Sequence, residues 1–190
     1  MLSGRRLNLL DPSPLDIEIR DIAHGLARVA RWNGQTAGAC PFSVAQHSLL
    51  VEAIVAEMAP DAPPHTALAA LLHDAPEYVV GDLISPFKAV IGDAYKAVEG
   101  RLADAVRLRF SIPADDGGVR QRLIKAADGA AAYHEAISLA GFSDEEAGAI
   151  FAVPAIAAEP LAPFLTPWPT ATAETRFLDR FHALDEAARA

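Results

Sequence analysis

Apolar residues recur along this chain at helical spacing, which predicts a mostly helical fold. After a Ser-Pro pair suited to a helix start, apolar side chains repeat every three or four positions and predict a first helix over about residues 14 to 29. Ser43 can cap a second helix that runs to about Met58. A third helix follows a proline-rich turn and meets Pro76 near its end, where a kink or a new helix start is expected.

Turn-forming residues divide the middle of the chain. Loop chemistry is expected at residues 81–86, and the next helix is predicted over roughly residues 92 to 110. A turn at residues 115–118 precedes the helix that carries Asp128, and Gly141 is well placed to end that helix.

The C-terminal part differs in composition from the rest. Ser143 with Glu146 forms a capping-box pattern for a short helix. Five prolines between residues 154 and 169 favour an extended segment along the surface. A final helix over about residues 172 to 188 presents an apolar stripe for docking. The aromatic and apolar residues expected to be buried in these two segments are Phe164, Leu165, Trp168, Phe177, Phe181 and Leu184.

Composition narrows the class of protein. With 190 residues and 52% hydrophobic content, the chain suits one all-α domain, 1–190, with a core over about residues 14–142 and an extension over about 143–190. Sixteen basic against 25 acidic residues give a net charge of −9 without a basic cluster, which excludes long nucleic acids as expected partners. The single cysteine allows no internal disulfide, and no apolar run is long enough for a membrane span. We expect a cytoplasmic protein.

Metal-capable side chains fall within apolar stretches of the predicted helices. His47 and Asp128 each lie on an apolar face, and His73 with Asp74 follows the unbroken apolar run at residues 67–72. An inward carboxylate is costly unless it is paired, hydrogen-bonded or bound to a metal. These two imidazoles and two carboxylates can therefore share one ion, although a single histidine on an apolar face is more often an ordinary packed residue of the core.

Nitrogen and oxygen ligands of this kind suit divalent ions such as Mn, Fe, Co, Ni or Zn. A site with four protein ligands leaves coordination positions open. A cation at such a site activates water and polarises phosphoryl oxygens, which favours phosphoester hydrolysis.

Five motifs occur between about residues 15 and 140. They are Val-Ala-Gln-His47-Ser, Leu-His73-Asp74-Ala-Pro-Glu77, Gly-Asp82-Leu-Ile-Ser85-Pro-Phe-Lys88, Tyr95-Lys-Ala-Val-Glu99 and Ala-Asp128-Gly-Ala-Ala-Ala-Tyr133. In order and spacing these motifs resemble the HD-domain metal-dependent phosphohydrolases, among which the bacterial 5'-deoxynucleotidase group is the most similar.

The resemblance implies an all-α HD-domain bundle that binds one divalent ion (Mn, Co, Fe, Ni, Zn or Mg) and removes the 5'-phosphate of deoxynucleoside monophosphates through a metal-bound water. The matching metal ligands are His47, His73, Asp74 and Asp128. The same resemblance assigns catalytic roles to Glu77, Asp74 and Arg31 and substrate binding to Arg31, Trp32, Asp82 and Ser85. It also implies a homodimer.

Two other functions remain open at this point. Related short sequences hydrolyse deoxynucleoside triphosphates, so a dNTP triphosphohydrolase that releases triphosphate is the first alternative. The second is a non-catalytic module that senses nucleotide or metal. A complete ligand set accompanied by Glu77 and Arg31 favours an enzyme, because a silent module needs no group for proton transfer.

Overall fold

Nine α-helices make up most of the computed structural model, which describes residues 1–114 and 117–189 and only the backbone of Ser85. No β-strand occurs in these described ranges, so the all-α prediction is confirmed. The helices are α1 (Ile19–Leu26), α2 (Val44–Met58), α3 (Pro64–Leu71), α4 (Glu77–Val80), α5 (Ser85–Ile91), α6 (Asp93–Arg109), α7 (Val119–Ser138), α8 (Asp144–Ile150) and α9 (Thr170–Arg189).

Helix α2 lies at the centre of the bundle and packs against α3, α7 and α9. Its side chains reach two apolar clusters, because Leu49 packs into one cluster while Leu50 and Ile54 pack into the other. The helix is therefore buried on both faces, which is a wider burial than the single apolar stripe predicted around His47. His47 itself is fully buried.

Both ends of α2 agree with the prediction. The hydroxyl of Ser43 accepts a hydrogen bond from the backbone N–H of Gln46 at 3.2 Å and so caps the helix. The side chain of Gln46 also donates to the carbonyls of Phe164 and Thr166, both at 2.7 Å, and accepts from the N–H of Trp168 at 2.9 Å. Gln46 thereby fastens the proline-rich segment to the start of α2.

The first predicted helix is wrong in extent. A 3-10 turn at Pro14–Asp16 is followed by extended backbone at Ile17, and α1 begins only at Ile19. The side chain of Ile17 is fully buried, and its carbonyl accepts a hydrogen bond from Nε of Arg109 at 2.9 Å. This tertiary anchoring selects the extended conformation over a continuous helix.

The chain breaks where Pro76 predicted a break. Helix α3 ends at Leu71 and α4 begins at Glu77, with Pro76 at the N-cap. The intervening turn contains His73 and Asp74, so the expectation that they lie within a helix is wrong. The loop predicted at residues 81–86 is also wrong at its end, because Ser85 and its following proline already belong to the first turn of α5.

The C-terminal predictions are largely confirmed. Ser143 and Glu146 form the capping box at the start of α8, and Phe177, Phe181 and Leu184 are buried where α9 docks against α1, α2 and α3. The proline-rich segment buries Leu161, Leu165 and Trp168, and it contains a 3-10 turn at Glu159–Phe164 instead of being extended throughout.

The turn predicted at residues 115–118 falls partly outside the described residues. Among the residues that are described, no helix is both long and apolar enough to cross a membrane.

Candidate metal centre and adjoining cavity

The bundle brings all four predicted metal ligands to one place. His47 comes from α2, Asp128 from α7, and His73 with Asp74 from the turn after α3. Nε2 of His47 lies 3.2 Å from Oδ1 of Asp128 and 3.5 Å from Oδ2 of Asp74. Nε2 of His73 lies 3.1 Å from the same oxygen of Asp74. The packing of α2 between α3 and α7 thus accounts for the convergence.

The donor atoms of this cluster fit a divalent cation. One ligand atom from each of His47, His73 and Asp128 lies within 4.8 Å of the others. The Nε2 atoms of both histidines are buried and have no hydrogen-bond partner among the described residues. Buried imidazole nitrogens without a partner beside carboxylates match the nitrogen and oxygen ligands that transition metals prefer.

The opposite nitrogen of each imidazole is held by an acceptor. Nδ1 of His73 donates to the carbonyl of Ala70 at 2.8 Å, and Nδ1 of His47 donates to Oε1 of Glu135 at 2.5 Å. In the neutral imidazole, such contacts place the proton on Nδ1 and leave Nε2 as the atom that can coordinate a metal. Both imidazoles are therefore oriented for coordination through Nε2.

The negative potential around His47 is strong. Burial and the nearby Arg31 lower the pKa of His47, yet Glu135, Asp128 and Asp74 outweigh them and raise this pKa well above its ordinary value. The same carboxylates attract a bound cation.

Glu135 adjoins the candidate site and is not among the residues that the sequence predicts there. It is fully buried on α7, two turns after Asp128 and on the same face. Its Oε2 accepts hydrogen bonds from Trp32 Nε1 at 2.8 Å and from Arg31 Nη2 and Nε at 3.2 and 3.3 Å. Burial raises the pKa of Glu135, but Arg31 and His47 dominate and lower it to about 2. The available signal was an acidic residue at helical spacing from a predicted ligand.

Arg31 and Trp32 reach the site through a short backbone pairing. An isolated bridge joins Ala30 to Ser43, and the N–H of Arg31 donates to the carbonyl of Phe42 at 2.8 Å. This pairing places both side chains beside the start of α2. Trp32 and Asn33 have φ of +55° and +51°, left-handed values that cost non-glycine residues about 1–3 kcal/mol each. Strain of this kind is typical of functional sites.

A cavity of about 600 Å³ adjoins the cluster. Three of its aromatic residues pack together and form an aromatic wall, in which the ring of Trp32 lies 5.8 Å from that of Phe142 and 6.1 Å from that of Phe151. None of the three belongs to the two core clusters. The charged lining residues are Arg31, Asp74, Glu77, Asp82, Lys88, Lys125 and Asp128.

Glu77 is placed as a candidate for proton transfer. Its side chain is only 3% exposed, Oε1 lies 3.4 Å from Nζ of Lys88, and Oε2 has no partner among the described residues. Burial, and then Asp74 and Asp82, raise the pKa of Glu77 to about 8 against the opposing effects of Lys88 and Arg31.

The structure also brings Asp82 to the cavity, where its Oδ2 lies 3.7 Å from Nη1 of Arg31. Burial raises the pKa of Asp82, and Arg31 opposes this shift. Ser85 begins α5, but the predicted role of its hydroxyl falls outside the described side chains.

Together these features define an all-α protein with a partly buried His/Asp cluster suited to a divalent cation beside an open, partly aromatic cavity. No family model matches the chain. Over 154 residues it is 59% identical to an uncharacterized protein of Rhodobacter capsulatus, a match that spans 81% of this chain and 79% of that relative. The chain belongs to the family of that protein. It is also 34% identical over 98 residues to the uncharacterized protein YfdR of Escherichia coli, spanning 52% of this chain and 49% of YfdR.

Proposed function

We propose that this chain is an HD-domain phosphohydrolase that removes the 5'-phosphate of deoxynucleoside monophosphates with one divalent metal ion. The observation that supports this most directly is the approach of His47, His73, Asp74 and Asp128 to within ion-pair distance at one edge of a cavity. These four residues come from three separate parts of the chain, namely α2, the turn after α3, and α7. When bound, a divalent ion there supplies Lewis-acid activation of water and of a phosphoryl oxygen.

The cavity suits a nucleotide in size and lining. A volume of about 600 Å³ lies within the usual range for small-molecule sites. Arg31 offers a planar guanidinium that can hold a phosphate through two N–H groups. The aromatic wall offers flat apolar surface for a sugar and base.

Glu77 performs the proton transfer in this proposal. A buried carboxyl with a pKa near 8 and an unpartnered oxygen can take a proton from the attacking water and return it to the leaving alcohol. Lys88 holds the other oxygen and fixes the orientation of the carboxyl group. Asp82 restrains Arg31 beside the phosphate.

A panel of substrates and metals tests this function. Deoxynucleoside and ribonucleoside mono- and triphosphates are each incubated with Mn²⁺, Co²⁺, Mg²⁺ or Zn²⁺, and the products are separated by ion chromatography. Orthophosphate released from a deoxynucleoside monophosphate is the expected result. Tight nucleotide binding without turnover under every metal would instead favour a sensor module.

A dNTP triphosphohydrolase is the second candidate, and one observation favours it. Arg31 and Lys88 are both ion-paired with carboxylates in the cavity, whereas Lys125 is exposed on its rim and has no ion pair within residues 1–114 and 117–189. An unneutralised lysine suits a longer phosphate chain. Inorganic triphosphate among the products would identify this activity. The homodimer and the cytoplasmic location also stay predictions.

A further inference from the structure

Glu135 is shared by two parts of the candidate site. Its Oε1 accepts the hydrogen bond from Nδ1 of His47 at 2.5 Å, and its Oε2 accepts those from Arg31 and Trp32 at 2.8–3.3 Å. One carboxylate therefore holds a candidate metal ligand with one oxygen and the candidate phosphate-binding pair with the other.

Glu135 differs from a second buried carboxylate, Glu52, whose contacts only connect two helices. Glu52 on α2 is also buried, and it accepts two hydrogen bonds from Arg180 of α9 at 2.6 and 2.9 Å. Neither Glu52 nor Arg180 lines the cavity. The partners of Glu135, in contrast, are a candidate metal ligand and two cavity-lining side chains.

The shared carboxylate gives a physical route between the two parts. His47 would hold a bound cation through Nε2, and its ring would then be poorer in electron density than a neutral imidazole without a cation. The hydrogen bond from Nδ1 to Oε1 of Glu135 would become stronger as a result. A stronger bond to His47 draws the negative charge of Glu135 toward Oε1. The carboxylate then neutralises the guanidinium of Arg31 less completely. Arg31 then binds a phosphate more strongly, and linkage requires that phosphate strengthens metal binding by the same factor.

We propose that Glu135 is a positioning residue that couples metal binding at His47 to phosphate binding at Arg31. The inference rests on the proposed function, because it requires both a cation and a phosphate group in the site. It adds to that function a positive cooperativity in which each ligand strengthens the binding of the other.

Calorimetric titration with Mn²⁺, with and without methylphosphonate, tests the coupling without any turnover. In the wild-type protein, methylphosphonate should raise the Mn²⁺ affinity by roughly tenfold or more. In Glu135→Gln the Mn²⁺ affinity should fall by about tenfold, and the enhancement by methylphosphonate should shrink at least about fivefold. Glu52→Gln removes an equally buried carboxylate bound to arginine, so it is the matched control and should leave both values unchanged.

The outcomes separate the two proposals. An equal enhancement in the wild-type and Glu135→Gln proteins overturns the coupling and leaves the metal centre intact. A wild-type protein that binds none of the metal ions offered overturns the proposed function as well.

A measurement on the wild-type protein covers the case in which Glu135→Gln does not fold. Zn²⁺ is added to ¹⁵N-labelled protein, and the Nε–H resonance of Arg31 is followed after assignment with Arg31→Lys. A shift of this resonance while that of Arg180 stays fixed is the expected result. No shift of the Arg31 signal at saturating Zn²⁺ would overturn the inference.

Discussion

Nε2 of His47 and Oδ1 of Asp128 lie 3.2 Å apart although the two residues belong to different helices, α2 and α7. His47 is fully buried, whereas the side chain of Asp128 is 42% exposed toward the cavity. The pair therefore joins the interior of the bundle to the space in which a substrate would lie.

Asp128→Ala should abolish metal retention and turnover together, because it removes a proposed metal ligand whose Oδ1 lies 3.2 Å from Nε2 of His47. Phosphate release and thermal unfolding with added Mn²⁺ are the measurements. For the wild-type protein, Mn²⁺ at about a hundred times its Kd should add about 2.7 kcal/mol to the free energy of unfolding. Asp104→Ala, at an exposed site on α6, is the control and should keep this stabilisation. Full activity of Asp128→Ala would remove the basis of the metal centre.

Glu77→Gln should lower kcat by about 100-fold or more while metal binding stays within about threefold of wild type, since the residue handles protons and is not a proposed ligand. Steady-state kinetics measures kcat, and calorimetric titration with Mn²⁺ measures metal affinity. Glu57→Gln, on the exposed end of α2, serves as the control. A Glu77→Gln protein with normal kcat would assign proton transfer to another group.

Phe151→Ala should raise KM for a deoxynucleoside monophosphate by roughly fivefold or more, because stacking on an aromatic side chain contributes about 1 kcal/mol or more per base. The KM for phosphoserine, which carries no base, should not change. Val153→Ala nearby is exposed and should behave as wild type. An equal loss for both substrates would mean that Phe151 supports the fold of the cavity and does not contact the base.

Glu174→Gln should flatten the acid side of the stability profile. Partial burial raises the pKa of Glu174, but hydrogen bonds from Arg28 and His24 outweigh it and hold the pKa below its ordinary value of 4.5. A lowered folded-state pKa stabilises the fold above the unfolded-state value, and this contribution is lost as the pH falls through the folded-state pKa.

The expected contribution of Glu174 is about 0.5 kcal/mol, since the ion pair with Arg28 is partly exposed. Urea unfolding between about pH 6 and about pH 3 measures it. The loss of stability on acidification should be smaller in Glu174→Gln than in wild type, and Glu186→Gln, also on α9 but exposed, should follow wild type. Parallel profiles for all three proteins would contradict the prediction.

The starts of helices are predicted correctly where a side chain within the same few residues caps the helix. Ser43 caps α2, and Glu146 completes the box at α8, through bonds that span only three residues. The error at Ile17 has a different origin. Ile17 is held extended by its own burial and by Arg109, a partner far along the chain that no local pattern reveals.

The candidate site shows the same difference between local patterns and long-range contacts. His47 and Asp128 were predicted as inward residues because helical periodicity alone indicates the buried face. Glu135 was missed because its importance depends on donors from three other residues, two of them reached through the bridge between Ala30 and Ser43. Pairing across the tertiary structure cannot be deduced from spacing on one helix.

Gln46 connects the segment around residues 164–168 to the candidate site, although none of these residues lines the cavity. Its amide meets Phe164, Thr166 and Trp168, and the next residue along α2 is His47. A chain shortened ahead of residue 160 would strip three bonds from a buried amide immediately beside the imidazole. Removal of this segment should therefore loosen the first turns of α2, which carry His47.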